Sequence, residues 1–183
     1  MFVSDLHSRR LREEFKRMLK VYPPRGSTIK WLIVDNNLHH YIATIKGKKG
    51  TPYENGQWKI SVDLPPEYPF KPPIVNFLTG ILHPNIAIGE TRWKWGSNVC
   101  LSLINWNNIS EPGGWKKTIT LPSVFDHIEM MLDVYQNEDD SDFPEYLVDP
   151  GDPFNPEAGK AMQEDFMKFW NKAVEWTEKY AKK

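Results

Sequence analysis

Cys100 is the only cysteine in this chain of 183 residues, and the tripeptide His83-Pro84-Asn85 lies a short distance before it. A lone thiol can neither close an intramolecular disulfide nor build a zinc site from several cysteines. It is therefore either a buried packing group or a nucleophile. Burial is the more common case, so the choice depends on the elements that position this side chain.

The composition is typical of one globular domain, and we assign residues 1–183 to it. Hydrophobic residues make up 40% and charged residues 26% of the chain, which are ordinary values. The net charge of −1 gives no sign of nucleic-acid binding. Neither a run of membrane-spanning length nor a secretory pattern is visible. We therefore expect a cytoplasmic monomer, with the nucleus also possible in a eukaryote, and an unpaired thiol fits a reducing compartment.

Charge is unevenly distributed along the chain. Six basic residues against two glutamates lie between Arg9 and Lys20, and six acidic residues without a lysine or arginine lie between Glu138 and Asp149. Such runs are most often solvated faces or loops. A partner-binding role for either run therefore needs support from elsewhere in the sequence.

The N-terminal residues have the apolar spacing of an amphipathic helix. Leu11, Phe15, Met18 and Leu19 recur at intervals of three and four, which predicts a helix over about residues 4–20 with these side chains buried. The Pro23-Pro24 pair ends it.

Four strand candidates follow, over residues 29–34, 41–45, 58–64 and 74–78. In the third, apolar and polar residues alternate, which is typical of a sheet with one buried face. A turn at 35–37 joins the first two strands, and Asn55-Gly56 suits a tight turn with positive φ. Connections this short predict an antiparallel meander.

Helices return after the cysteine. Apolar residues from Val124 to Tyr135 share one helical face behind Pro122, and Asn155-Pro156 has the form of a helix cap and first residue. The fold class is therefore α+β, with helices on one face of the sheet. About 45 residues separate the fourth strand from the next helix, and their tryptophans and leucines favour an ordered, functional loop that contains Cys100.

Seven segments in order resemble those of the ubiquitin-conjugating enzyme family, over nearly the whole chain. They are a glycine-rich hairpin at 45–56, Tyr68-Pro69-Phe70-Lys71-Pro72-Pro73, His83-Pro84-Asn85, Val99-Cys100-Leu101-Ser102-Leu103, Trp115 with the helix after it, Asp152-Pro153-Phe154-Asn155-Pro156-Glu157, and Glu175-Trp176-Thr177-Glu178-Lys179-Tyr180. The resemblance implies that family's fold: an N-terminal helix, a four-stranded meander, an ordered active-site loop and C-terminal helices.

The resemblance implies an acyltransferase that works through a covalent intermediate. An activating enzyme delivers ubiquitin, or a ubiquitin-like modifier, to the cysteine as a thioester, and a lysine of a protein substrate attacks it, usually with a ligase. Because a thioester is already activated toward amines, the enzyme mainly positions the reactants and stabilises the oxyanion. No cofactor, metal, nucleic acid or membrane is implied.

On this resemblance Cys100 carries the acyl group. Asn85 either donates to the oxyanion or orders the loop beside the cysteine, since its amide can do both. His83 could be mistaken for a general base, but in the family this histidine is structural. Asp152 matches an acid that orients the incoming lysine, with an ordinary turn residue as the alternative.

The resemblance also indicates partner-binding residues. Phe70, if exposed, resembles the aromatic residue that contacts ligases. The basic first helix resembles the surface where the activating enzyme docks, with Arg9, Arg10 and Arg12 as candidates. Lys116-Lys117 replaces the family's usual Ser-Pro in a ligase-contacting loop, which leaves the identity of the ligase open.

Three insertions depart from the family pattern, at about 89–97, at about 105–114 and in the acidic stretch before Asp152. The first places Asn85 15 positions before Cys100, so Asn85 reaches the thioester only if the inserted loop folds outward. The second could gate the site or select ligases. The acidic stretch could attract lysine-rich acceptors or a basic ligase.

Two other functions remain open. One is a non-catalytic member that binds ubiquitin or scaffolds a ligase, against which the presence of Cys100 argues. The other is a cysteine hydrolase, which is disfavoured because no histidine except His83 lies in a suggestive motif.

Overall fold

The computed structural model describes residues 2–89, 96–105, 114–134, 151 and 153–182. Its elements, in chain order, are helix α1 (Phe2–Val21), strands β1 (Lys30–Val34), β2 (Asn37–Lys46), β3 (Gln57–Asp63) and β4 (Ile74–Phe77), a 3-10 helix (Ser102–Ile104), and helices α2 (Leu121–Met131), α3 (Pro156–Glu164) and α4 (Phe166–Trp176), which ends in a π-helical turn (Thr177–Ala181). None of the helices in these ranges is both long and apolar enough to cross a membrane.

Within the described residues the strands form one antiparallel sheet in the order β1-β2-β3-β4, so the predicted meander is confirmed. The β1–β2 hairpin turns at Asp35 and Asn36, which both have positive φ (52° and 55°), as the twist of a two-residue hairpin requires. Asn55 also has a positive φ of 67°, as its position before Gly56 predicts.

The core lies on one face of this sheet. Alternate side chains of β2 and β3, among them Tyr41 and Ile60, join Val124, Phe125 and Ile128 of α2 in one buried cluster. The helix begins where predicted, with Pro122 in its first turn and the side chain of Thr120 as its cap. Burial of this apolar face, rather than the propensity of a helix of 11 residues, holds α2 in place.

Helix α1 buries a stripe that differs from the predicted one at one edge. Leu11 and Met18 are buried and Phe15 is half-buried, but Leu19 is 64% exposed, so that part of the prediction is wrong. Glu14 occupies a buried position on the same helix instead. A period of 3.6 identifies the centre of a buried stripe better than its edges.

Glu14 is buried because three elements supply it with partners. Its Oε2 accepts hydrogen bonds from the Tyr68 hydroxyl at 2.7 Å and from the Leu121 amide at the start of α2. Its Oε1 lies 2.6 Å from Nε of Arg10. Burial and the Glu14 carboxylate raise the pKa of Tyr68, which keeps the phenol a donor. This network joins α1, the Tyr68 loop and α2.

Candidate active site

The segment that ends at Cys100 pairs with the chain that follows His83-Pro84. The Cys100 amide donates to the Asn85 carbonyl at 2.7 Å, and the Ala87 amide donates to the Asn98 carbonyl at 2.8 Å. Between these bonds, Ile86 and Val99 form an antiparallel bridge. The main chain therefore closes the 15-position separation between Asn85 and Cys100, as the prediction of an outward-folding loop requires.

Asn98 fastens this segment to the outer edge of the sheet. Its Oδ1 accepts from the Phe77 amide at 2.8 Å, and its Nδ2 donates to the Phe77 carbonyl at 3.0 Å. The neighbouring Ser97 hydroxyl donates to the Val75 carbonyl at 2.6 Å. Sequence reasoning missed this role of Asn98, because its partner Phe77 lies 21 positions away along the chain. Residues 83–87 and 97–101 together form what we call the cysteine cradle.

His83 is structural, as the family resemblance implies. Its Nδ1 accepts the Asn85 amide at 3.0 Å, which leaves Nε2 as the protonated nitrogen and the donor to the Met131 carbonyl at 2.9 Å. Burial lowers the pKa of His83 to about 4, because a charged imidazolium would lose its hydration. A neutral imidazole with both nitrogens bonded to the main chain is not a general base.

The turn at Pro84 is supported from the C-terminal part of the chain. The Asn155 amide donates to the Pro84 carbonyl at 2.7 Å, and the Asn155 side chain caps α3 by accepting the Ala158 amide. Asn85 is 3% exposed. One residue thus fixes both the start of α3 and the tripeptide beside the cysteine.

Cys100 lies in the wall of an open, mostly apolar pocket of about 250 Å³ and is half-buried. Residues of the loop before β4 and of the cysteine segment form its walls, including Pro72, Pro73, Ile74, Val99, Leu101 and Ile104. Glu67 and Lys71, paired at 2.7 Å, also line it. Cys100 thus lines an open pocket and is not sealed in the hydrophobic core.

Comparison with known proteins identifies the family. The model of the ubiquitin-conjugating enzymes matches residues 10–177. The chain belongs to the ubiquitin-conjugating enzyme family. It is 30% identical over 174 residues to ubiquitin conjugating enzyme E2 B of Dictyostelium discoideum, covering 95% of this chain and 97% of the relative. It is 32% identical over 156 residues to ubiquitin-conjugating enzyme E2 5 of Arabidopsis thaliana, covering 85% and 71%.

A solved structure supports the same conclusion. The E2 domain of a Toxoplasma gondii ubiquitin conjugating enzyme superposes with a TM-score of 0.69 at 27% identity, and the match covers 96% of this chain and 99% of that one. The chain is therefore a ubiquitin-conjugating enzyme, a thioester-forming transferase with the predicted α+β fold. Membership implies interaction with ubiquitin, an activating enzyme and ligases.

Three of the predicted partner-binding residues of this ubiquitin-conjugating enzyme lie in two connected loops. Phe70 is 50% exposed, and Lys116 and Lys117 are exposed. The indole Nε1 of Trp115 donates to the Pro69 carbonyl at 2.8 Å, which ties the second loop to the first. We call Phe70, Lys116 and Lys117 the partner face.

The basic residues of α1 divide into two kinds. Arg9 and Arg12 are exposed. Arg10 is half-buried, and besides its ion pair with Glu14 its Nη2 donates to the Ile119 carbonyl at 2.7 Å. The guanidinium of Arg10 is thus engaged inside the enzyme, whereas the other two face solvent.

Asp152 lies outside the described residues, so its predicted role stays a prediction. Residues 90–95, 106–113 and 135–150, which hold most of the three predicted insertions, also lie outside them. The last of these ranges includes Tyr135 and the acidic stretch. Asn155, three positions after Asp152, is bonded to the Pro84 carbonyl.

Proposed function

We propose that Cys100 is the residue that carries ubiquitin. The observation that supports this assignment is a partly exposed cysteine whose amide is bonded to Asn85, beside an open pocket. In the first step the Cys100 sulfur bonds to the C-terminal carbonyl carbon of ubiquitin, and the sulfur of the activating enzyme leaves. In the second, a lysine nitrogen bonds to that carbon, the Cys100 sulfur leaves, and the nitrogen loses a proton.

Asn85 has a separate role in the second step. The ordering contacts of its main chain, to His83 Nδ1 and from the Cys100 amide, do not need its side chain. By the family resemblance, we assign the side-chain amide to the oxyanion that forms as the amine adds to the thioester carbonyl. In the alternative, the side chain orders the loop and does not contact the oxyanion. Substitution of Asn85 distinguishes the two roles.

Asp152 orients the incoming lysine and eases removal of its proton. The support is the family resemblance and the position of Asp152 in a segment whose later residue, Asn155, is bonded to Pro84. Asp152→Ala should slow discharge to free lysine more than it slows charging. Equal slowing of both steps would instead assign Asp152 to the scaffold.

The partner face is the proposed ligase-binding surface, and Arg9 and Arg12 are the proposed contacts of the activating enzyme. Arg10 supports the helix that carries Arg9 and Arg12, through its contacts with Glu14 and the Ile119 carbonyl. The acceptor is a lysine of a protein substrate. We place the reaction in the cytoplasm, with the nucleus as a second compartment, because a chain with one cysteine, which cannot form an internal disulfide, is suited to a reducing environment, and we expect a monomer.

Charging with an activating enzyme, ubiquitin and ATP tests the proposal. The wild-type chain should form an adduct that thiol removes on a gel, and Cys100→Ala should form none. The control is Ser102→Ala, at a half-buried position just after Cys100, which should still charge. A chain that folds but never charges with any activating enzyme would favour the non-catalytic alternative.

A further inference from the structure

Two histidines from different elements face each other on the side of α1. His7 lies on α1 and His39 on β2, and their Nε2 atoms are 3.3 Å apart. The ring centroids are 4.9 Å apart, with an angle of 40° between the planes. Both side chains are half-buried.

The hydrogen bonds of these rings define where their protons are. His7 Nδ1 contacts the Tyr68 carbonyl, and His39 Nδ1 contacts the Leu64 carbonyl at 2.9 Å. A carbonyl oxygen only accepts, so both Nδ1 atoms carry hydrogen. A neutral imidazole has one N–H, so two neutral rings present a lone pair at each Nε2. Two lone pairs at this separation repel unless a cation lies between them.

The geometry suits a metal ion better than a straight hydrogen bond. Two Zn–N bonds of about 2.0–2.1 Å at a tetrahedral angle separate their nitrogens by roughly 3.3–3.4 Å, and the observed distance is 3.3 Å. In a straight N–H···N bond, the distance between the ring centroids would exceed the Nε2–Nε2 distance by about one ring width, roughly 2.3 Å. The centroid separation of 4.9 Å is shorter, so the rings are inclined.

We propose that His7 and His39 bind a divalent transition-metal ion of the class that prefers imidazole, with Zn²⁺ as the probe. Donation of each Nδ1–H to a carbonyl is the outer-shell arrangement that orients metal-binding histidines. His40 is the next residue on β2 and pairs with Asp63 instead, because successive side chains of a strand face opposite sides. No group of three or more metal-binding side chains occurs among the described residues, so we assign the two imidazoles as the protein ligands of the proposed site and water to its other positions.

The proposed site joins elements that lead to the partner face. Leu64 follows β3, and the carbonyl of Tyr68 lies two residues before Phe70. A metal ion held by His7 and His39 would therefore connect α1 to both ends, Leu64 and Tyr68, of the loop that precedes Phe70. The expected result is a stiffer loop at unchanged chemistry of Cys100.

The test uses tag-free protein that carries Cys100→Ser, so that the thiol does not bind the probe. Calorimetric titration with Zn²⁺ should give one ion per chain. His7→Asn and His39→Asn each retain an N–H near the Nδ1 position but remove the Nε2 ligand, and should weaken binding by at least about tenfold. His127→Asn is the matched control, because His127 Nδ1 also contacts a carbonyl, that of Ser123, without a paired ring in the described part of the chain.

NMR of the ring nitrogens provides a second readout that does not depend on affinity alone. Zn²⁺ should shift the Nε2 resonances of His7 and His39 together, and leave that of His127 in place. The proposal is overturned if both asparagine variants bind Zn²⁺ as the parent does. It is also overturned if the folded parent binds no Zn²⁺ and the two rings share a proton instead.

Discussion

The cysteine cradle and the partner face are built in opposite ways. In the cradle, His83, Asn85 and Asn98 are buried and bonded to the main chain. In the partner face, Phe70 is half exposed and the two lysines are exposed. The loops that carry these side chains are held by internal bonds, such as those from Trp115 Nε1 to the Pro69 carbonyl and from the Phe70 amide to the Glu67 carbonyl.

This difference separates two tasks of the enzyme. Acyl transfer needs a cysteine held in a fixed position, and buried hydrogen bonds provide that at a cost if any one of them is removed. Partner selection needs side chains that can be exchanged without loss of the fold, which is typical of exposed residues. Substitutions in the cradle should therefore alter stability or chemistry, and substitutions in the partner face only ligase-dependent rates.

Asn98→Ala should produce the largest loss of stability among these variants. It leaves the Phe77 amide and carbonyl without their side-chain partners, which we expect to lower the free energy of unfolding by about 2–4 kcal/mol. Urea denaturation measures it. Exposed Asn171→Ala on α4 is the control and should stay within about 0.5 kcal/mol of wild type; a similar small change for Asn98 would contradict the anchor.

His83 should make stability fall in acid. Its pKa is about 4 in the folded enzyme against 6.5 for the free side chain, so the unfolded chain binds the proton more readily. The contribution of His83 is full above pH 6.5 and is lost between pH 6.5 and 4, by about 3 kcal/mol in total. NMR titration checks the premise: a His83 ring that protonates near pH 6.5 in the folded enzyme would refute it.

Asn85→Ala tests the side chain inside an otherwise retained main chain. Loss of an oxyanion donor should slow discharge to free lysine by roughly 100-fold, about 2.7 kcal/mol in the barrier, while charging changes less. Single-turnover discharge of the purified adduct measures this. Asn85→Asp, which keeps the shape but not the donor, should be as slow; a normal rate in that variant would leave Asn85 with only the loop-ordering role.

Phe70→Ala should have the smallest and most selective effect. Charging and discharge to free lysine should stay at wild-type rates, because the side chain is exposed and makes no part of the cradle. Discharge stimulated by a ligase should fall roughly tenfold, about 1.4 kcal/mol. A matched exposed residue away from this face, Leu32→Ala on β1, should leave all three rates unchanged, and equal effects of both substitutions would remove the special role of Phe70.

Local patterns were sufficient to predict the order of elements. Alternation in β3 predicted its buried face, where Trp58, Ile60 and Val62 lie, although Ser61 between them is buried too. The turn residues of the β1–β2 hairpin and the Asn155-Pro156 start of α3 also act over a few neighbours, and the structure confirms both. The burial of Glu14 in place of Leu19 was not predictable in this way. Its partners Tyr68 and Leu121 lie 54 and 107 positions away, and helical periodicity contains no information about them.

The candidate site shows the same difference between local motifs and contacts from distant segments. Cys100 and His83-Pro84-Asn85 were visible as motifs, and the structural role of His83 follows the family. The contacts that hold them come from distant segments: Asn98 reaches Phe77, and Asn155 reaches Pro84. The facing of His7 and His39 likewise depends on how α1 packs beside β2, which no local pattern in either segment indicates.

The most direct measurement of the proposed chemistry is charging of Cys100→Ser followed by mapping of the linkage by mass. An alkoxide leaves less readily than a thiolate, so ubiquitin should be found on residue 100 as an oxyester that resists thiol and is cleaved by base, while the wild-type adduct is released by thiol. A wild-type adduct that resists thiol, or an attachment found on a lysine in place of residue 100, would contradict acyl transfer through Cys100.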